Sequence, residues 1–306
     1  MFEPVRYTKF AGLDKSNDPI SHVVGEGAIK LKYAENVDIL RTAAVERRRG
    51  YTAWSNASDY TSLWGNGVVC YAVKTGNLIE IALSKTFRVL LASVGTAKMK
   101  FIDTHDEFIH FTNGTVSGKI KDGIVYAHTP SSDPFKEVLP AGDFLAYLAP
   151  RLLVVKGNAL YIGGVTNKDV YHRVSGFLQF DTDIRMVAPV DSNMFVSDSK
   201  YTWFCEKTQN QLVPTAPFFK VKKVAQYPSA PGNPVKSVES IKTALAYYAQ
   251  GTMWVSERGI CIGGSDGAFE NLTFKVYDMP AYIQSATVEY VQNGDLNQLI
   301  SVIKGV

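Results

Sequence analysis

Residues 62–83 read SLWGNGVVCYAVKTGNLIEIAL, in which Gly65-Asn66-Gly67 and Thr75-Gly76-Asn77 interrupt three short runs rich in β-branched and aromatic residues. Glycine and asparagine tolerate the positive φ angles that two-residue hairpin turns demand, and the runs between them are of strand length. The segment therefore predicts strand, tight turn, strand, tight turn, strand. Outward from it, the same plan recurs along the chain. Residues 99–129 carry turns at Asn113-Gly114 and Asp122-Gly123, and 145–164 turn at Gly157-Asn158. Residues 184–206 turn at Asp191-Ser192-Asn193 and Asp198-Ser199-Lys200. Residues 244–264 read as turning at Gln250-Gly251 and at Glu257-Arg258-Gly259, and 287–305 turn around Asn293-Gly294.

Taking Val69, Phe108, Leu153, Phe195, Met253 and Tyr290 as equivalent strand positions gives spacings of roughly 39, 45, 42, 58 and 37 residues. A four-stranded propeller blade needs about 40–50 residues. The long interval contains the proline-rich YPSAPGNP at 227–234. A single meander cannot bury both of its faces, so packing successive sheets around an axis is the natural solution. The reading is all-β, a β-propeller of six blades, with five as the alternative count and a pair of β-sandwich domains as the alternative architecture. The sixth blade is expected to be composite, joining the strand within 43–55 to the last segment so that the two chain ends close one sheet and remove an exposed edge.

The first 42 residues read differently, as an extended amino-terminal arm ahead of a propeller over 43–306. Asn17-Asp18-Pro19 and Gly25-Glu26-Gly27 break the pattern, and only 28–36 suggests a weak helical stretch. Yet the arm carries Phe2, Tyr7, Phe10 and Leu13 among many apolar groups. Such groups are expected to bury against the propeller or against a neighbouring subunit.

Composition bounds function. The chain has 306 residues, 46% hydrophobic and 20% charged, with 32 basic against 29 acidic groups. A net charge of +3 is too even to imply nucleic acid or an anionic membrane as the main partner. No apolar stretch reaches the 18 residues of a membrane span, and MFEPVRYTKF lacks the apolar run of a secretory signal, so synthesis and folding in the cytoplasm are expected. Cys70, Cys205 and Cys261 have no CxxC or Cys/His spacing and read as buried thiols.

Catalytic motifs are missing from the sequence. There is no GxSxG, no GxxxxGK[ST] and no GxGxxG leading into a helix. In THDEFIH (104–110) the two histidines fall five apart, hence on opposite faces of a strand, and the segment reads as a solvated turn. Aspartates 103, 106, 181, 183, 191 and 198 match no calcium-loop spacing. No catalytic residue, metal site or cofactor is expected. Arg47-Arg48-Arg49 alternate faces in an extended strand, a poor phosphate track but well suited to carboxylate pairing and aromatic stacking at an inter-blade or inter-subunit contact. With Phe2, Tyr7, Phe10 and Leu13, these arginines are the candidate interaction residues.

The succession AGLDKSNDP, GAIKLKYAENVDILRTAAVERRRGYT, YTSLWGNGVVCYAVKTGNLIEI, YLAPRLLVVKGNALYIGG, FLQFDTDIRMVAPVDSNMFVSDSKYTWF and MWVSERGICIGGSDGAFENLT resembles a family of structural proteins of tailed bacteriophages and prophages. The likeness runs over nearly the whole chain in preserved order. It departs at Arg49, where the family usually has proline before Gly50-Tyr51, and over 173–180. The resemblance implies a non-enzymatic propeller in the tail or neck of a virion. Its partners would be other virion proteins and further copies of itself in a symmetric ring, with no membrane and no direct nucleic-acid role. The competing reading is a carbohydrate-binding propeller acting in host-surface recognition, for which Trp64 with Asn66 and Trp203 with Asp198 are the candidates; a glycosidase or lyase propeller is a third.

Overall fold

The computed structural model describes side chains over 60–84, 86–208, 218–239, 246–273, 279–280, 282–288 and 303–304, and elsewhere only the backbone of strands. Ahead of residue 60 these strands are β1 (Phe10–Leu13), β2 (Val23–Val24), β3 (Ala28–Leu31), β4 (Val37–Ile39) and β5 (Val45–Arg47). The helical stretch expected over 28–36 is thus corrected at its start. Ala28–Leu31 is the middle strand of a small sheet, parallel to β1 and antiparallel to β2. Pairing of this kind supplies the backbone partners that a short, weakly periodic helix would have had to find alone.

Five four-stranded antiparallel sheets follow. Blade 1 is β6 (Tyr60–Gly65), β7 (Cys70–Lys74), β8 (Asn77–Ile81) and β9 (Phe87–Leu91). Blade 2 is β10 (Lys100–Asp103), β11 (Ile109–Thr112), β12 (Ser117–Lys121) and β13 (Ile124–Tyr126). After a single strand, β14 (Lys136–Val138), blade 3 begins with β15 (Phe144–Leu148), β16 (Arg151–Lys156) and β17 (Ala159–Ile162). There the meander is interrupted: β18 (Val170–His172) leaves the blade to pair with β14, and β19 (Phe177–Gln179) completes it. Blade 4 is β20 (Met186–Val190), β21 (Asn193–Ser197), β22 (Thr202–Lys207) and β23 (Phe219–Ala225). Blade 5 is β24 (Val235–Lys242), β25 (Tyr247–Ser256), β26 (Gly259–Gly264) and β27 (Phe269–Asn271). A long hairpin, β28 (Ile283–Asn293) and β29 (Leu296–Gly305), ends the chain. The molecule is an all-β propeller, and among the described residues no helix occurs. The pairs β4–β5 and β28–β29 are separate two-stranded sheets in those residues. A link between them that would make one composite closing sheet lies outside the described residues.

The hairpin turns sit where glycine and its neighbours predicted them. Thr75-Gly76 has φ of 47° and 75°, and Asp122-Gly123 has 50° and 70°, the left-handed pair of a type I′ turn. One expected turn is overturned. Gln250-Gly251 lies in the middle of β25, where Gly251 pairs with Val238 on one side and Gly264 on the other. A Cβ on Gly251 would meet the Gly263 carbonyl and the Tyr248 Cβ at 3.4 Å and Val238 at 3.5 Å, ordinary contact distances, so what holds this residue in a strand is its ladder pairing on both sides. The proline-rich 227–234 segment joins β23 to β24, with Ser229 and Ala230 fully buried in that link.

Blade-on-blade packing explains why the middle strands are apolar on both faces. In β16, Leu153 and Val155 point into a core shared with Val187, Met194 and Val196 of blade 4. Leu152 and Val154 point the other way, into a core with Leu145 of the same blade, Leu139 just after β14 and Ile102 of blade 2. Alternation along a strand produces this split, and each such side chain contributes about 1.5–3 kcal/mol on burial. Blades 1 and 2 share a core of Tyr71, Leu78, Phe101, Phe111 and Ile120. Blades 4 and 5 meet through Phe195, Phe204 and Trp254. On the far side of blade 5, Val255 packs with Ile283, Ala286 and Val288 of the final hairpin.

Two outcomes follow from this packing. A Cβ at Gly263 would lie 2.3 Å from Cε2 of Phe195, so Gly263→Ala should lower stability by about 1–3 kcal/mol in urea unfolding; an unchanged midpoint would show that the ring can yield. Deleting 287–306 removes β29 and the greater part of β28, and with them Val288 and Ile303 from the cluster around Val255, and should leave no soluble folded chain, whereas a soluble truncated protein with β-rich circular dichroism would make the hairpin an appendage.

Candidate functional site

The interruption of blade 3 builds a polar cleft against blade 2. In blade 2 the two tight turns fix a register in which His110 on β11 faces Lys119 on β12, and Lys119 faces Tyr126 on β13. Residues two apart share a face, so Phe108, His110, Lys119, Tyr126 and His128 fall on the face opposite the Phe111–Ile120 core. That face looks toward blade 3. The 163–169 segment comes back across it because β14 and β18 pair, with the Leu139 N–H donating to the Asp169 carbonyl at 2.8 Å. A cleft of about 560 Å³ results, lined by Asp106, Phe108, His110, Lys119, Asn167 and Asp169.

Asp169 is the centre of the polar network, with a side chain only 4% exposed. Its Oδ2 accepts from Lys119 Nζ at 2.5 Å and from the Thr129 N–H at 2.7 Å, and its Oδ1 lies 3.1 Å from His128 Nδ1. Burial pushes the Asp169 pKa up, but these donors outweigh it and hold the carboxyl well below the usual carboxylate range. His110 stacks on His128 with ring centres 5.7 Å apart. It is 2% exposed, and its Nδ1 has no hydrogen-bond partner. Burial first, then the neighbouring His128, lowers the His110 pKa to about 4, so the ring is neutral at pH 7. The Lys119 ammonium also rests over the Phe108 ring at 4.6 Å. At the rim, Asp106 accepts from Lys168 and from Thr104 Oγ1. The groups of this site that could hold a metal ion are His110, His128 and Asp169.

The structure corrects the reading of 104–110 as one solvated turn. His105 is a turn residue at φ 54° with an exposed side chain, but His110 is a buried strand residue. The opposite-face argument does not apply to His105, which lies in the bend before β11 with its ring 6.2 Å from that of Tyr147, and the partners of His110 come from elsewhere. His128 was legible in principle from the register that the Asn113-Gly114 and Asp122-Gly123 turns impose. Asp169 was not, because it arrives by a detour between strands of another blade. Phe2, Tyr7, Arg48 and Arg49 lie outside the described residues; Phe10 and Leu13 lie on β1 and Arg47 on β5, of which only the backbone is described. The tryptophan candidates for sugar contact are packed. Trp64 stacks on Tyr71 and Phe101, while Asn66 accepts from the Val68 and Val69 N–H groups and donates to Asp103. Trp203 lies against the core of blades 3 and 4 and donates to Asp198 Oδ2 at 3.0 Å.

No family model and no curated protein matches the chain. Among solved structures it is similar to the extracellular domain of a one component system from B. thetaiotaomicron, at 10% identity and a TM-score of 0.50 over 88% of this chain and 33% of that one. It thus spans about a third of that chain's length. It is also similar to virginiamycin B lyase from Staphylococcus aureus, at 9% identity and a TM-score of 0.49 over 79% of this chain and 84% of that one. The WD40 domain of Pan2 from Neurospora crassa matches at 13% identity and a TM-score of 0.40 over 83% and 76%. Identities this low speak to the fold alone.

The network makes a measurable demand on pH. Asp169 is depressed when folded, so its contribution is full above the unfolded value of about 4 and is lost as pH falls through the folded one. His110 is also depressed, and between pH 6.5 and about 4 the unfolded chain takes up a proton that the folded chain refuses. Stability should therefore fall by about 3 kcal/mol across that window in chelator-treated buffer, and His110→Phe should flatten the fall. Asp169→Asn should cost about 3–5 kcal/mol at pH 7, since it leaves Lys119 without its buried partner. A fall with pH in His110→Phe as steep as that of wild type, or an Asp169→Asn midpoint equal to wild type at pH 7, would contradict this account.

Proposed function

We propose that this protein is a non-enzymatic structural component of a bacteriophage virion, associated with the tail or neck, and that it acts as a rigid scaffold for neighbouring virion proteins and further copies of itself. The observation that carries the reading is the ordered run of motifs resembling phage and prophage structural proteins, which spans nearly the whole chain. Those motifs coincide with blade strands and turns: YTSLWGNG with β6 and the turn after it, RLLVVKGNALYIGG with β16 and β17, and MWVSERGICIGGSDGAFENLT with β25 to β27.

Two further features support a scaffold. Burial pushes the Cys205 and Cys261 thiols up to about 12, which makes them packing groups and not nucleophiles. Exposed apolar side chains gather on the outer strands and loops of the first two blades, where Val68, Leu83, Phe87, Val89, Ile124 and Tyr126 face solvent. Solvent-facing groups of this kind on strands that otherwise pack well suit a surface that another chain covers. The amino-terminal arm, with Phe2, Tyr7, Phe10 and Leu13, and the arginines at 47–49 are the proposed means of attachment. In a symmetric tail each arm would reach the next copy, which closes a ring only where the rotation matches the tail symmetry.

Removal of residues 1–33 should leave a folded propeller that no longer joins particles when mixed with the remaining tail proteins. Normal incorporation of the shortened chain would rule out the arm as an assembly device. Particles whose electron-microscopy map holds no propeller of this size would overturn the virion role itself.

A further inference from the structure

We propose that His110, His128 and Asp169 form a site for one divalent transition-metal ion, zinc or an ion of similar ligand preference, which ties blade 2 to the inserted segment of blade 3. One ligand atom from each of the three lies within 4.8 Å of the others. His128 Nδ1 and Asp169 Oδ1 are 3.1 Å apart, a span that an ion with bonds of about 2.0–2.2 Å to nitrogen and oxygen can bridge. An independent observation points to a missing ligand. His110 is buried beside this pair, its ring stacked on His128, and its Nδ1 has no partner in the protein. A polar atom so enclosed is normally satisfied, and a metal ion would satisfy it.

The surroundings fit such an ion. Lys119 and the Thr129 N–H both donate to Asp169 Oδ2, which orients the carboxylate and leaves Oδ1 turned to the histidines. Binding requires the His128 Nδ1 proton to move to Nε2, a change of tautomer with no net loss of charge. Two imidazoles and one carboxylate select zinc, nickel, cobalt or copper over magnesium and calcium, which seek more oxygen ligands than this cleft offers. Three protein ligands leave a position open toward the cleft, where water or a carboxylate of a partner could complete the shell.

The test uses the full chain, stripped with a chelator, titrated with zinc by calorimetry and with cobalt by visible absorption. Expected are one zinc per chain with a Kd of about 1 μM or tighter, a raised thermal midpoint, and cobalt bands of four- or five-coordinate intensity. His110→Phe keeps the ring's bulk against His128, and His128→Gln keeps a donor for Asp169; each should weaken zinc binding at least about tenfold. Magnesium in hundredfold excess should not compete. Unsaturable uptake, a six-coordinate cobalt spectrum, or a folded His110→Phe variant that binds zinc as wild type does would overturn the proposal. Should a variant fail to fold by circular dichroism, the wild-type stoichiometry and cobalt spectrum decide alone.

Discussion

Face-to-face packing of successive sheets is the constraint on which everything else in this propeller rests. Each meander is four strands wide and buries apolar side chains on both faces, so no blade is stable without a neighbour on each side. The requirement shows at Leu152–Val155, four consecutive side chains that are all buried yet belong alternately to two different cores. It shows again where glycine replaces a side chain, because Gly263 gives its volume to the Phe195 ring of the next blade. Interiors packed to this density transmit a volume change directly into strain on the neighbouring blade.

How much of this was legible in the sequence depends on range. Turns written in local chemistry, such as Asp122-Gly123, were readable because left-handed φ at two successive residues is a demand that few residue pairs meet. The repeat spacing was readable for a related reason, since each blade is one unit of local hairpins. Gln250-Gly251 was misread because a glycine paired on both sides within a long strand looks, in sequence, like a glycine that turns a chain. Ala28–Leu31 was misread because four residues carry too little periodicity to separate helix from strand; tertiary pairing with β1 and β2 decides it.

The cleft between blades 2 and 3 lies at the far end of that scale. Half of it follows from register: once the hairpins of blade 2 are fixed, His110, Lys119 and Tyr126 must lie in a row across the sheet. The other half depends on β18 leaving blade 3 to pair with β14, a topological detour that no local signal announces. Asp169 sits immediately before β18, so its position is set by that pairing and by the Leu139 N–H that holds its carbonyl.

The consequence is a junction of a different physical kind from its neighbours. The blade 1–2 and 4–5 interfaces are held by apolar area, which has no preferred direction and tolerates small sliding movements. Between blades 2 and 3 part of that area is replaced by a buried carboxylate with three donors, and by Thr112, whose hydroxyl donates to the Gly142 carbonyl at 2.8 Å. Polar contacts of this sort add little net stability beyond what well-packed apolar groups would give. What they add is position, because each donor must meet one oxygen at one distance, and a shifted blade leaves charges buried and unpaired. Lys119 and His128 belong to blade 2 and its exit, Asp169 to the insertion of blade 3, so the network fixes the angle between two sheets that apolar packing alone would leave softer.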